Sequence, residues 1–298
     1  MKTLLNSFLK KRYQKMRSPM FKPSSGFTMI ELLVATVIAT IIIVPMLTFV
    51  VDILNRDVRE QAKTNSEQEL QAAVDYIAQD MSQAFYIYSQ SGVNTIKAQL
   101  PHSNDNTKTP ILVFWKRELV EKALSPSLKI CESNDCDDTF VLSLVAYYLI
   151  NDNNTTWCQP SGNTCPQRIA RFQIQDGVKV ENSYICGDNG RDDSICSTDK
   201  QKKSMRDSGY KDYQSDPETW EKEDEEYEET PKVLVNYTEG FTLDSVSDDK
   251  KLAKITIQGN ALRRIQPSAP QCRNIDFTYC PRATAQVGAR SGFRTSTN

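Results

Sequence analysis

The chain has 298 residues, with 36 Lys/Arg, 38 Asp/Glu and one histidine, for a formal charge of −2. That total hides an uneven split: seven of the 36 basic residues and none of the acids lie in residues 1–26, so residues 27–298 hold 29 basic and 38 acidic side chains, a charge of −9. An acidic body excludes the basic footprint that sequence-independent nucleic-acid binding needs, and the lone His102, in an Asn/Asp-rich loop, makes a general base poised near neutrality scarce.

The first element is a basic leader, Lys2 to Lys22, ending at Ser24-Ser25-Gly26. An apolar run follows from Phe27 to Val51, and its only charge is Glu31. As a helix it rises roughly 37 Å, enough to cross a hydrocarbon core of about 30 Å. The small residues precede the apolar run, whereas a secretory signal places its cleavage site after it. By the positive-inside rule, residues 1–26 stay cytoplasmic and everything after Val51 is exported. A carboxylate inside such a span costs free energy and is a functional candidate by default. Cutting after Gly26 would place an α-amine on Phe27, one helical turn (about 6 Å) from Glu31. That amine, in the same or a neighbouring subunit, is the partner the carboxylate needs.

Gly26-Phe27-Thr28-Met29-Ile30-Glu31-Leu32-Leu33 resembles the class III signal of type IV pilins and pseudopilins. The resemblance implies that a prepilin peptidase cuts between Gly26 and Phe27, that the Phe27 amine is N-methylated, and that Glu31 guides docking into a filament. The implied partners are other pilins or pseudopilins and an inner-membrane assembly platform. The implied location is the inner membrane in a single pass, with an exported head that later joins a filament at the cell surface.

Asp52 to Ala84 holds no Gly or Pro, so the helix is expected to continue to about Phe85, with its exported half assigned to 52–88. Asp52 to Gln68 is polar all round. Leu70, Val74, Ile77, Met81 and Ala84/Phe85 then recur at the helical period, which predicts one face packed on a sheet. Pro45 lacks the amide that would donate to Ile41, so a kink or local unwinding is expected there.

Five strands are predicted, around Ile111–Trp115, Thr139–Ile150, Arg168–Gln175, Val233–Tyr237 and Leu252–Gln258. No helical pattern intervenes, so the expected fold is α+β and type IV pilin-like: a long N-terminal helix, transmembrane over 27–51, packed on an antiparallel sheet. The head is expected over 89–266, with a charged, polar insertion at 182–230 and a C-terminal strap at 267–298. The insertion carries a basic patch (Lys200, Lys202, Lys203, Arg206) and an acidic run from Asp216 to Glu229, and reads as a solvated or mobile loop.

All eight cysteines lie on the exported side, where an even count reads as disulfides. Eight allow 105 pairings; the simplest is local, Cys131–Cys136, Cys158–Cys165, Cys186–Cys196 and Cys272–Cys280. Zinc is disfavoured by the lack of Cys-x2-Cys and the single histidine. Asp188, Asn189, Asp192 and Asp193 form a weak calcium candidate between Cys186 and Cys196, without EF-hand spacing; no other cofactor is expected. Tyr147, Tyr148, Trp157 and Trp220 are candidates for carbohydrate contact, weighed against plain packing. No Gly-rich phosphate loop or Gly-x-Ser-x-Gly occurs, and no spacing singles out two carboxylates, so no enzyme is expected.

A longer resemblance joins Glu60-Gln61-Ala62, Leu112-Val113-Phe114-Trp115-Lys116-Arg117-Glu118, Leu142 to Ile150, Arg168-Ile169-Ala170-Arg171-Phe172 and Gly259 to Arg264. These segments resemble the cyanobacterial pseudopilins of the hormogonium polysaccharide secretion system. They imply a filament subunit that serves polysaccharide export in gliding. The alternatives are a minor pilin of an adhesive or DNA-uptake pilus, and a sugar-binding adhesin on a plain anchor.

Overall fold

A computed structural model describes residues 26–127, 129–131, 135–160, 162, 165–272 and 277–289. The basic leader before Gly26 and the last nine residues of the expected strap lie outside them. The chain divides into two compact units, through Asn55 and from Arg56 onward.

One helix, α1, spans Met29–Ser82. Over the first unit its apolar side chains are exposed on every side, from Phe27 to Leu54. It is long and apolar enough to cross a membrane. In such a solvent, stray hydroxyls need partners on their own helix. Thr36, Thr40 and Thr48 each donate to a backbone carbonyl three or four residues earlier, at 2.7–2.8 Å. The helix continues through Pro45, so the local unwinding expected there does not occur.

In the second unit α1 becomes one-sided. Leu70, Val74, Ile77 and Met81 are at most 2% exposed, as the stripe predicts. The helix stops at Ser82 rather than near Phe85, because the next residues pair as a strand, β1 (Ala84–Ile87). Ala84 and Ile87 enter the core on the helix side, while Phe85 and Tyr88 enter the core on the other side of the sheet. A helix continuing that stripe would have sent them to one face.

The remaining elements are a short helix α2 (Gln90–Ile96), β2 (Lys108–Leu124), β3 (Asp137–Ile150), β4 (Gln167–Gln175), a small hairpin of β5 (Lys179–Val180) and β6 (Ser183–Tyr184), a helical turn α3 (Asp199–Lys202), β7 (Lys232–Val246), β8 (Leu252–Gly259) and β9 (Arg282–Gly288). Seven strands form one antiparallel sheet in the order β1-β2-β3-β4-β7-β8-β9. The fold is therefore α+β as expected, with seven strands rather than about five. β9 lies in the segment expected to be only a strap. The sheet curls around α1: the Ile87 amide, at the β1 edge, donates at 2.8 Å to the Lys250 carbonyl in the β7–β8 turn. At Gly259 a Cβ would stand 2.8 Å from Leu70 Cδ1, so a larger residue there would force the Leu70 side chain to shift.

All four local disulfides are present, Cys131–Cys136, Cys158–Cys165, Cys186–Cys196 and Cys272–Cys280. The larger correction concerns residues 182–230. Much of the segment is solvent-facing, as expected, but its aromatic residues cover the sheet face opposite α1. Trp220 and Tyr210 are fully buried there. Both stand edge-on to Trp115 of β2, with centroids 5.7 and 6.0 Å away, and Tyr227 does the same to Phe172 at 5.2 Å. Trp115 Nε1 donates to the Tyr88 hydroxyl at 3.0 Å, and that hydroxyl donates to the Pro217 carbonyl at 2.7 Å. The charges pair internally, Arg206 with Glu223 through two 2.8 Å bonds and Arg191 with Glu225 and Glu228. The segment averages as polar, yet its few aromatics land on the sheet and its opposite charges offset each other.

Asp207 fastens this cover to β4. Its carboxylate accepts from the Gln175 amide at 2.8 Å, and its own amide donates to the Gln175 carbonyl at 3.0 Å. Burial raises its carboxyl to about 6, outweighing the Gln175 hydrogen bond. The contribution of this group is complete below pH about 4 and is lost as pH rises through about 6. Asp207→Asn is therefore expected to stabilise the cover at pH 7 and to flatten its pH dependence between 4 and 6, read by hydrogen exchange over 204–228. Trp220→Ala is expected to cost about 3–5 kcal/mol, measured as a loss of denaturant resistance in the full chain.

Candidate functional site

The candidate site begins where regular structure begins. Gly26, Phe27 and Thr28 precede α1 in an irregular segment, and Phe27 is 76% exposed. Among the described residues nothing lies within 4 Å of where a Gly26 side chain would stand. Thr28 starts the helix: its Oγ1 accepts from the Glu31 amide at 3.3 Å and its carbonyl accepts from Leu32 at 3.1 Å. This is the N-terminal half of a capping box, with the Glu31 carboxylate in the first turn, where the helix dipole favours negative charge.

Glu31 shares an apolar groove with Phe27, Ile30, Val34, Ala35 and Ile38. Among the described residues it has no ion-pair partner. The groove thus brings the Glu31 carboxylate and Phe27, four residues earlier, to the same side of the helix start.

Residues 21–47 match the family model described as the prokaryotic N-terminal methylation motif. No curated protein and no solved structure matches the chain. The match covers Gly26, Phe27, Glu31 and Pro45 and supports a type IV pilin-like subunit anchored by its N-terminal helix. Such a signal implies processing by prepilin peptidase and assembly with other pilins.

Other candidates from the sequence are placed differently. Tyr147, Tyr148 and Trp220 are buried and offer no ring to a ligand. Trp157 is half-buried under Arg168, whose guanidinium lies 5.9 Å from its ring and pairs with Asp152. In the calcium candidate, Asp192 Oδ1 accepts from the Ser194 amide and hydroxyl, Asn189 Oδ1 from the Arg191 amide, and Asp193 faces Lys202 at 3.5 Å. Among the described residues no group of three His, Cys, Asp or Glu is placed to hold a metal. His102 lies exposed in a turn with φ of 59°.

Sequence reasoning missed a buried charge cluster that fixes the head to α1. Asp80, 7% exposed, is 2.8 Å from Lys116 of β2 and 2.7 Å from both Arg171 of β4 and the Tyr147 hydroxyl of β3. Glu118 completes the coordination of Lys116, and Gln173 that of Arg171. Burial raises the Asp80 carboxyl, but the Arg171 and Lys116 interactions outweigh it and leave the carboxyl below its ordinary value. The signal was present: Asp80 falls three residues after Ile77 and one before Met81, on the buried stripe.

Two outcomes follow from this cluster. Asp80→Ala leaves the buried Lys116 with Glu118 alone and the half-buried Arg171 without an acid, and is expected to cost about 3 kcal/mol. With a lowered carboxyl, the stabilisation is whole above pH about 4 and is lost as pH falls through the folded value. Acid unfolding below pH 4, followed by near-ultraviolet circular dichroism, should lose this component in Asp80→Asn.

Proposed function

We propose that the chain is a structural pseudopilin or minor pilin rather than an enzyme, and that it is assembled into a type IV pilus-like filament serving secretion. The observation that carries this reading is the methylation motif in register with Gly26, Phe27 and Glu31. In this reading the basic leader stays cytoplasmic and the head is exported. Peptidase cleavage frees the Phe27 amine, which is methylated and meets the Glu31 carboxylate of its own or a neighbouring subunit as the helix leaves the bilayer. Pairing removes an uncompensated charge from the apolar phase, so assembly is favoured over the lone subunit.

The cargo is proposed to be a polysaccharide whose export supports gliding. The support is the likeness of the strand segments around Leu112–Glu118, Leu142–Ile150 and Arg168–Phe172 to hormogonium polysaccharide secretion pseudopilins. A strain lacking this chain should lose surface polysaccharide while keeping DNA uptake; unaffected polysaccharide would overturn the cargo assignment alone.

The processing step has its own measurement. N-terminal sequencing of membrane-purified protein is expected to begin at methylated Phe27, and an intact Met1 would sink the pilin reading. Glu31→Val should be cleaved normally yet enter filaments about tenfold less, the equivalent of about 1.4 kcal/mol, by immunoblot of sheared filaments.

A further inference from the structure

Where α1 runs out, the inner face of the sheet changes from apolar to polar. Tyr76 and Gln79, in the last turns of the helix, line a cavity of about 380 Å³ together with Glu118 of β2 and Gln173 of β4. Its volume lies at the lower end of the range for small-ligand sites, about 300–1,000 Å³. Asp80, Lys116 and Arg171 line it as well, so the buried charge cluster forms its base. The strand side is fixed in advance: Gln173 Nε2 donates to Glu118 Oε2 at 3.2 Å and to the Ser143 hydroxyl at 3.4 Å. A ligand does not have to order that wall.

Other groups at the cavity are left with bonds to make. Glu118 spends Oε2 on Lys116 and Gln173. Among the described residues, its Oε1, the Gln79 side-chain amide and the Tyr76 hydroxyl have no hydrogen-bond partner. The Tyr76 ring is 45% exposed, and the Arg171 guanidinium, 6.0 Å from its centre, leaves much of it to solvent. The charges that line the cavity balance, Asp80 and Glu118 against Lys116 and Arg171, and they already pair with one another. Asp75, beside Tyr76, does not line the cavity and accepts from Gln71 at 2.9 Å. An ionic ligand would meet no net field here and would have to compete with those pairs. A peptide would call for a strand edge or an apolar groove. A neutral sugar fits better: its hydroxyls both donate and accept, as an amide and a carboxylate oxygen together require, and its C–H face packs on the negative face of an aromatic ring.

We infer that this cavity binds a neutral saccharide, with one sugar ring stacked on Tyr76 and its hydroxyls paired with the Gln79 amide and Glu118 Oε1. The inference deepens the export reading and rests on it for the source of the sugar chain.

The test uses the full chain in lipid nanodiscs with cellotetraose, mannotetraose and galactotetraose, read by titration calorimetry and by saturation-transfer NMR. Saturable binding of at least one is expected. Tyr76→Ala and Gln79→Ala, both at exposed helical positions, should each weaken it about tenfold without altering the melting temperature. Tyr76→Phe keeps the ring and should hold affinity within about threefold. Should Tyr76→Ala fold poorly, Gln79→Arg, which adds an unbalanced charge at the rim, should weaken binding in its place. Absence of saturable binding for all three sugars, indifference to these variants, or equal affinity for tetragalacturonate would overturn the assignment. Binding of the peptide (Gly-Ser)5 with the same sensitivity to the variants would overturn it too. If a tetrasaccharide binds while a strain lacking the chain keeps its surface polysaccharide, the cargo reading fails and the site stands. If that strain loses its polysaccharide while no tetrasaccharide binds, the site is removed and the cargo reading stands.

Discussion

The head depends on a single buried carboxylate. Apolar packing of Leu70, Val74, Ile77 and Met81 against the sheet is strong but non-directional, and it would tolerate a helix shifted along its axis. Asp80 does not tolerate it. Its two oxygens are shared among Lys116, Arg171 and the Tyr147 hydroxyl, which belong to three adjacent strands. A shift of one residue would strand two buried polar groups, Lys116 and the Tyr147 hydroxyl, and the half-buried Arg171, each costly to leave unpaired. Burial and the charge of Asp80 keep the Tyr147 hydroxyl protonated, so it remains a donor to that acid. The cluster therefore sets the register of α1 on β2, β3 and β4.

The same helix carries a second carboxylate with the opposite arrangement. Glu31 lies on an apolar stripe, and among the described residues it has no cation. Asp80 is satisfied inside its own fold and confers order there. In the assembly proposed above, the compensating cation of Glu31 comes from the Phe27 amine of its own or a neighbouring subunit, so the same chemical group would serve association there as it serves folding at Asp80. A carboxylate on an apolar helix is costly in lipid without such a partner.

Much of this was legible in the sequence, for physical reasons that differ by segment. The strands at 111–115, 139–150, 168–175, 233–237 and 252–258 announced themselves through apolar runs or period-two alternation, and all five occur with longer bounds. β1 was hidden because Ala84 and Phe85 continue the helical stripe in phase. β9 was hidden because Arg282-Ala-Thr-Ala-Gln-Val-Gly is small and polar, and only its pairing with β8 makes Ala283 and Val287 part of the core. The Asp80 cluster needed registers that no single segment contains, since Lys116 opposes Ser143 and Arg171 opposes Tyr147. Composition misjudged the insertion because it averages Tyr210, Trp220 and Tyr227 into many charges.

That insertion also explains why the head needs local disulfides. Each bridge closes a short loop, worth around 2–3 kcal/mol by loop entropy, and each lies in polar chain with little apolar surface of its own. The aromatic cover is held to the sheet by a few rings and by the Asp207–Gln175 pair, while Cys186–Cys196 stiffens the part of the insertion that lies away from those rings. Cys131–Cys136 closes a short loop in the connection between β2 and β3 in the same way. Rigidity is thus supplied by a covalent bond where the polar chain has little apolar surface to bury.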